Sequence, residues 1–412
     1  MAVIRPFRAL RPVPDAVARV AAVPYDVVST AEARVLATGN PLSFLHVSRP
    51  EIDLPPGTNP FADEVYTAAA ENLRRLVDLA PMVREAQSSL YFYRLHAGEH
   101  EQVGLVACYS LDEYDRGLIK KHEGTVREKE DDRTRHMLAL GAQTGITFLI
   151  YRASAEVNAL AHQAMATDPL FDFDAADAVR HTIWHVPAAD LNAVVSAFAR
   201  VPALYIADGH HRIASAARTR DQLSSYGSQA PSGEAEYTHF LGVAFPDDQA
   251  QILPYHRTVE DLAGLSPQKF LGAVTARFRV REGPVAAPRK REAGMYLPGR
   301  WYSLDLTSAA RVGSSPRRIR ELDVSVLQDE LLEPVLKIAD MRTDNRIAFV
   351  GGGREVKELE RLVDTGGAAV AFTLSPVTVE ELIAVADAGE TMPPKSTWFE
   401  PKLRDGLLIH TI

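Results

Sequence analysis

Apolar residues along this chain of 412 residues recur at two periods, and their alternation organises the sequence. Between positions 60 and 79, Val65, Ala68, Ala69, Leu73 and Leu76 fall near helical spacing, and Pro81 follows as a stop. Residues 90–95 and 103–109 are rich in strand formers, and the polar stretch 96–102 between them predicts a hairpin. Further strands are expected at 146–151, 182–186, 203–207, 239–245 and 252–256, with helices at 126–140, 156–166, 188–200 and 213–223 among them. Alternating elements that include a hairpin imply an α/β fold with a mixed sheet, because a purely parallel sheet has no hairpins.

The pattern changes after Asp261. The stretch 224–236, rich in Ser, Gly and Pro, reads as a surface loop. Ser266 is placed to cap a helix at 267–278 whose first position is Pro267. A loop at 284–292, a helix at 324–336, a strand at 348–350 running into Gly351-Gly352-Gly353, and a late strand at 369–374 complete the reading. These signals divide the chain near residue 262 into a first region, 1–262, and a C-terminal α/β lobe, 263–412. No internal repeat is evident.

Chemistry concentrates where the apolar run Leu204-Tyr205-Ile206-Ala207 meets Asp208-Gly209-His210-His211-Arg212 and then an Ala-rich helix. Gly209 permits a turn closed to other residues, and the N-terminus of a following helix favours an anion. Gly209, His211 and Arg212 are therefore candidate nucleotide- or phosphate-binding residues. Asp208 can hold a metal ion or take a hydroxyl proton, and His210 can relay one. Helix capping alone would need Asp208 but not two histidines and an arginine behind it.

A second polar group, Lys120-Lys121-His122-Glu123-Gly124-Thr125, precedes the charged helix at 126–140. Thr125 and Glu128 fit a capping box, which leaves His122 and Glu123 as catalytic candidates, Glu123 being the acidic partner of Asp208 and a second metal-ligand candidate. A zinc-protease reading of His122-Glu123 fails because position 126 is Val126. Lys395, Ser396 and Thr397 offer a cation and two hydroxyls that could cap phosphates, with Lys402 close behind. Gly351-Gly352-Gly353-Arg354 lacks the Lys-Ser/Thr pair of a phosphate loop and reads as a tight turn.

Composition narrows the partners. With 54 acidic and 45 basic residues and a net charge of -9, the chain lacks the basic excess of a nucleic-acid binder. One cysteine, Cys108, lies in an apolar run and excludes both a disulfide framework and a cysteine-cluster zinc site. No run of about 18 apolar residues and no signal-peptide core is present, so a cytoplasmic protein without a membrane segment is expected.

Asp208 to Arg212 resembles the signature turn of the ParB/sulfiredoxin-like superfamily, in the variant of its free L-serine kinases. Sulfiredoxins carry a cysteine where His210 stands, which removes thiol chemistry from this turn. The strings Arg5-Pro6-Phe7-Arg8-Ala9-Leu10-Arg11-Pro12, Pro24-Tyr25-Asp26-Val27, Asn40-Pro41-Leu42-Ser43-Phe44-Leu45-His46-Val47, Lys121-His122-Glu123-Gly124-Thr125 and Met392-Pro393-Pro394-Lys395-Ser396-Thr397-Trp398-Phe399-Glu400-Pro401-Lys402 resemble the domain of unknown function 1015 family. That resemblance runs essentially end to end and adds Asp26 and His46 as cleft-lining residues. It implies a ParB/sulfiredoxin-like core followed by the C-terminal lobe.

The resulting expectation is a Mg²⁺-dependent kinase. It would move a phosphoryl group from ATP or ADP to a small hydroxylated metabolite, with free L-serine suggested by the serine-kinase resemblance. The partners are then a nucleotide and a small substrate, with no membrane or nucleic acid, and a homodimer is admitted. The alternatives are a nucleotide-binding or nucleotide-hydrolysing switch and a His/Asp metal-dependent hydrolase.

Overall fold

The computed structural model describes residues 2–79, 82–225, 235–283, 288–309, 318–351 and 356–412. The chain groups into two compact units. The first comprises Met1–Lys121, Thr125–Ala250 and Pro401–Ile412, and the second comprises His122–Gly124 and Gln251–Glu400. The turning point thus lies about a dozen residues before the position near 262 that composition suggests, and the chain's last residues rejoin the first unit instead of closing a contiguous lobe.

The first unit is built on a nine-stranded mixed sheet. Its strands are β1 (Ile4–Arg5), β2 (Tyr91–Ala97), β3 (His100–Ser110), β4 (Ile119–Lys120), β5 (Thr147–Tyr151), β6 (Phe171–Asp174), β7 (Arg180–His185), β8 (Leu204–Asp208) and β9 (His239–Pro246). They run in the order β4-β8-β5-β9-β3-β2-β7-β6, with β1 beside β3. β8 is parallel to β4 and β9 to β5, whereas β2 and β3 form the expected antiparallel hairpin. Every residue of β5 and β9 is buried, as their unbroken apolar runs require of strands covered on both faces.

The longer helices of this unit are α1 (Thr30–Ala37), α2 (Asp63–Leu79), α3 (Arg127–Leu140), α4 (Ala155–Met165), α5 (Leu191–Phe198) and α6 (His210–Ser225). Val157 and Ala161 of α4, Val194 and Phe198 of α5, and Ile213 and Ala216 of α6 join strand residues such as Phe92, Tyr109, Leu149 and Ile206 in one core. The capping box foreseen at Thr125 does not form. Val126 is the N-cap of α3, and the Thr125 hydroxyl donates to Glu130 instead.

The second unit holds an antiparallel six-stranded sheet made of β10 (Tyr255–Val259), β11 (Arg279–Glu282), β12 (Glu292–Leu297), β13 (Arg300–Asp305), β14 (Ile347–Gly351) and β15 (Val370–Leu374). Their order is β11-β13-β12-β15-β10-β14. Helices α7 (Pro267–Thr275), α8 (Val356–Asp364) and α9 (Val379–Asp387) belong to the same unit. Ser266 caps α7 as foreseen, its side chain accepting from the Lys269 N–H at 3.3 Å.

Two expected elements divide. The strand at 252–256 becomes Gln251–Leu253, which pairs with Trp398–Glu400, and then β10. The helix at 324–336 is α-helical only over Asp323–Leu327 and continues as a π turn at Gln328–Leu332. Pro81, residues 226–234 and 284–287 of the two expected loops, and Gly352-Gly353-Arg354 lie outside the described residues.

Candidate functional site

β8 delivers Asp208 to the edge of the first unit's core, and a register shift against β5 between Ile206 and Asp208 marks where regular pairing ends. Gly209 follows with φ +101°, and a Cβ there would lie 3.3 Å from Thr147 Cγ2 and 3.4 Å from Arg212 Cδ. Both the backbone sign and the space therefore require glycine. The Gly209 carbonyl accepts from the Ile213 N–H, so α6 starts at His210 with its N-terminal end beside Asp208. Asp208 is thus the last strand residue, separated from the helix by Gly209 alone.

Arg212 is only 4% exposed, and its guanidinium is engaged. One terminal nitrogen donates to both Asp26 carboxylate oxygens at 3.0 and 3.1 Å, and the other donates to the Ile146 carbonyl at 2.8 Å. Burial opposes its charge, but Asp26, Asp208 and Asp405 together hold it protonated above the ordinary arginine range. The Tyr25 ring lies 5.6 Å from the Arg212 guanidinium carbon and 4.2 Å from that of Arg133.

Asp405 and Lys402 join this cluster from the terminal segment Pro401–Ile412. Asp405 is 3% exposed, and its peptide exchanges hydrogen bonds with Ala22 at 2.9 and 3.1 Å. Desolvation pushes its carboxyl up to about 7, against the pull of Arg212. Lys402 Nζ stands 3.6 Å from Asp208 Oδ2. Neither residue is signalled as part of the turn by the sequence, where Arg404-Asp405-Gly406 reads as a polar turn before an apolar run. The sequence marks Lys402 only as a cation behind residues 395–397 and does not mark Asp405, and the fold brings them to Asp208 and Arg212.

The histidines divide by role. His211 Nε2 accepts from the Val126 N–H at 3.0 Å, which places its ring at the start of α3. His210 is buried at the first position of α6. His136 Nε2 donates to the Val47 carbonyl at 2.9 Å, and burial drives the ring's pKa down to about 3, so it is a neutral core residue. His46 Nδ1 meets Asp53 at 2.8 Å and its Nε2 lies 3.2 Å from the Asn40 carbonyl, a local network in the Asn40-Pro41 turn region. Cys108 is fully buried, and desolvation raises its thiol well above its ordinary range, which makes it inert.

The remaining sequence candidates fall in the second unit. His122 is 1% exposed, its Nε2 is 3.3 Å from Thr397 Oγ1, and its carbonyl accepts from the Met392 N–H at 2.8 Å. Glu123 is half-buried beside it. Ser396 donates to the Pro393 carbonyl at 2.6 Å, and Lys395 takes a left-handed conformation with φ +57°. Asp208 to Arg212 gain Asp26, Lys402 and Asp405 in the first unit, and His122 and Thr397 meet in the second.

Fold and site together define a mixed-sheet α/β protein whose largest sheet presents a carboxylate-lined strand-turn-helix. The chain belongs to the family described as "Protein of unknown function (DUF1015)", which matches residues 4–325. The end-to-end motif resemblance anticipated that membership. No curated protein matches. Similar solved structures include a conserved hypothetical protein from Pyrococcus furiosus, at 15% identity over 74% of this chain and 94% of that chain with a TM-score of 0.37. A free serine kinase in complex with AMP is similar at 15% identity over 71% and 86%, with a TM-score of 0.36. SbnI with a C-terminal truncation, from Staphylococcus aureus, is similar at 10% identity over 72% and 84%, with a TM-score of 0.38. Superpositions at this level leave the chemistry to be read from the site itself. Among the described residues no helix is long and apolar enough to cross a membrane.

Proposed function

We propose that the protein is a Mg²⁺-dependent phosphotransferase that moves a phosphoryl group from ATP or ADP to the hydroxyl of a small metabolite. The observation that carries this reading is the Asp208 carboxylate at the end of β8, directly before the N-terminus of α6 and 3.6 Å from Lys402. Phosphoryl transfer asks mainly for positioning and charge neutralisation, and this arrangement offers both. The helix end attracts phosphate oxygens, Lys402 adds a cation, and Asp208 orients or deprotonates the acceptor hydroxyl or holds the metal.

The residues fit Mg²⁺, which is commonly held by one or two carboxylates together with phosphate oxygens and retained water. Asp208, about one-third exposed, suits that pattern. When bound, the ion would neutralise phosphate charge. Arg212 takes a different part from a phosphate clamp. Its pairing with Asp26 and Ile146 makes it a positioning residue that fixes the turn from below. L-Serine heads the acceptors because the turn resembles that of the free L-serine kinases.

The test is incubation with Mg²⁺, ATP or ADP, and L-serine or other hydroxylated metabolites, with product identified by mass spectrometry. Asp208→Asn is expected to cut turnover by about 10²–10⁴-fold if Asp208 is the base. Glu123→Gln asks whether the second carboxylate contributes. Nucleotide binding without product from any acceptor would leave a switch, and a stoichiometric transition metal with nucleotide-independent activity would point to a hydrolase.

A further inference from the structure

Among the described residues, Arg257 is the one charged side chain in the group of largest fully buried ones. It sits in the middle of β10, paired in register with Phe349 on one side and Phe372 on the other. Its guanidinium carbon lies 5.6 Å from the Phe349 ring centre. One terminal nitrogen donates to the Tyr255 carbonyl at 2.8 Å, and the other reaches the Lys395 carbonyl at only 3.4 Å. Nε has no acceptor among the described residues, and no carboxylate among them forms an ion pair with Arg257. Desolvation pulls its proton affinity down to about 10. Arg212 in the first unit is also buried, at 4% exposed, yet it is matched by Asp26, so burial alone does not explain the lack of a counter-charge.

The segment facing Arg257 is unusual as well. Lys395 adopts φ +57°, a conformation that non-glycine residues rarely hold, and this turns its carbonyl toward Arg257 while Nζ lies 5.8 Å from the Tyr255 ring centre. Trp398, three residues on, closes edge-on against Tyr255 with ring centres 5.1 Å apart. A carbonyl dipole is a weak partner for a buried guanidinium, whereas a phosphate dianion would supply the counter-charge that Arg257 lacks.

We infer that Arg257 is the floor of an anion site in the second unit, specific for a phosphate group, with Lys395 and the hydroxyl-bearing residues Ser396 and Thr397 as its wall. In the ligand-free state the Lys395 carbonyl stands where a phosphate oxygen binds, and the long 3.4 Å contact is the one that gives way. The ligand is either free phosphate or a phosphate carried by a nucleotide. This inference takes up the phosphate role of residues 395–397, but it needs no transfer activity, and a binding measurement separates its failure from that of the transfer reading.

The experiment is thermal unfolding and calorimetry of the full chain with inorganic phosphate, pyrophosphate or ADP, against sodium chloride at matched ionic strength. Saturable binding of at least one phosphate compound is expected, and the compound that binds identifies the source. Arg257→Met should abolish binding while raising the melting temperature in anion-free buffer, because it removes a buried charge without a counter-ion. Lys395→Ala, at an exposed position, should weaken binding by about 10–100-fold, the range of a lost charge-assisted hydrogen bond. Absence of saturable binding in the unaltered protein overturns the inference, as does undiminished binding in folded Arg257→Met. If Arg257→Met does not fold, undiminished binding in Lys395→Ala overturns it.

Discussion

Asp405 and Arg212 experience the same burial with opposite outcomes. Arg212 keeps its charge because acids surround it, whereas Asp405 competes with Asp26 for that arginine and lies high, at about 7. The folded carboxyl binds its proton more tightly than the unfolded one, whose value is 3.8, so the folded state holds the extra proton between these values. Asp405 therefore favours folding at low pH and costs stability progressively as pH rises from about 4 through about 7. Asp405→Asn, a neutral isostere, should be more stable than the unaltered protein at pH 8, with the advantage shrinking toward pH 5. Denaturant midpoints at the two pH values test this, and a pH-independent difference would refute the assignment. The sequence makes Gly209 and Asp208 legible because their local context is distinctive. It cannot show Asp405, whose character comes entirely from burial beside residues nearly 200 or more positions away.

At the scale of elements, close strand packing sets a sharper constraint than hydrophobic patterning conveys. Gly242 in β9 faces Tyr109 of β3 and Leu149 of β5, and an added Cβ would stand 2.9 Å from Tyr109 Cδ2 and 3.3 Å from Leu149 Cδ1. Gly242→Ala should destabilise the protein by about 1–3 kcal/mol through overpacking. Urea unfolding measures this, and an unchanged midpoint would mean that the Tyr109 ring yields freely. Helix α6 illustrates a complementary limit of pattern. Apolar periodicity begins at Ile213, but the helix begins at His210, because its first turn is polar and is defined by the Gly209 turn. The π turn at Gln328–Leu332 is likewise invisible to a 3.6-residue period. Strand β13 was legible in principle, since Tyr302 and Leu304 are buried in alternation with Trp301 and Ser303.

Over the whole molecule, the terminal segment Pro401–Ile412 belongs to the first unit's core although it follows the second unit in sequence. Leu407, Leu408 and Ile409 have no solvent exposure, Ile409 pairs with Leu10, and His410 pairs with Gln143. Full burial of one such side chain contributes about 1.5–3 kcal/mol, and a domain's whole stability is about 5–15 kcal/mol. A chain ending at Glu400 should therefore lose cooperative unfolding of the first unit, as followed by circular dichroism in urea. A sharp transition with an unchanged midpoint would contradict this.

The sequence by itself determined the α/β class, most of the strands and helices around the large sheet, the family, and the strand-turn-helix at 208–212. Each of these follows from local periodicity, from the conformational freedom of glycine or from contiguous motifs. Tertiary structure decided which charges are spent and which are not. Asp26 reaches Arg212 from far up the chain, Lys402 and Asp405 return from its end, and Arg257 is left in an apolar sheet without a described acid to meet it. Charge compensation depends on distance in three dimensions and on solvent exclusion, and neither is written in the spacing of residues along a chain.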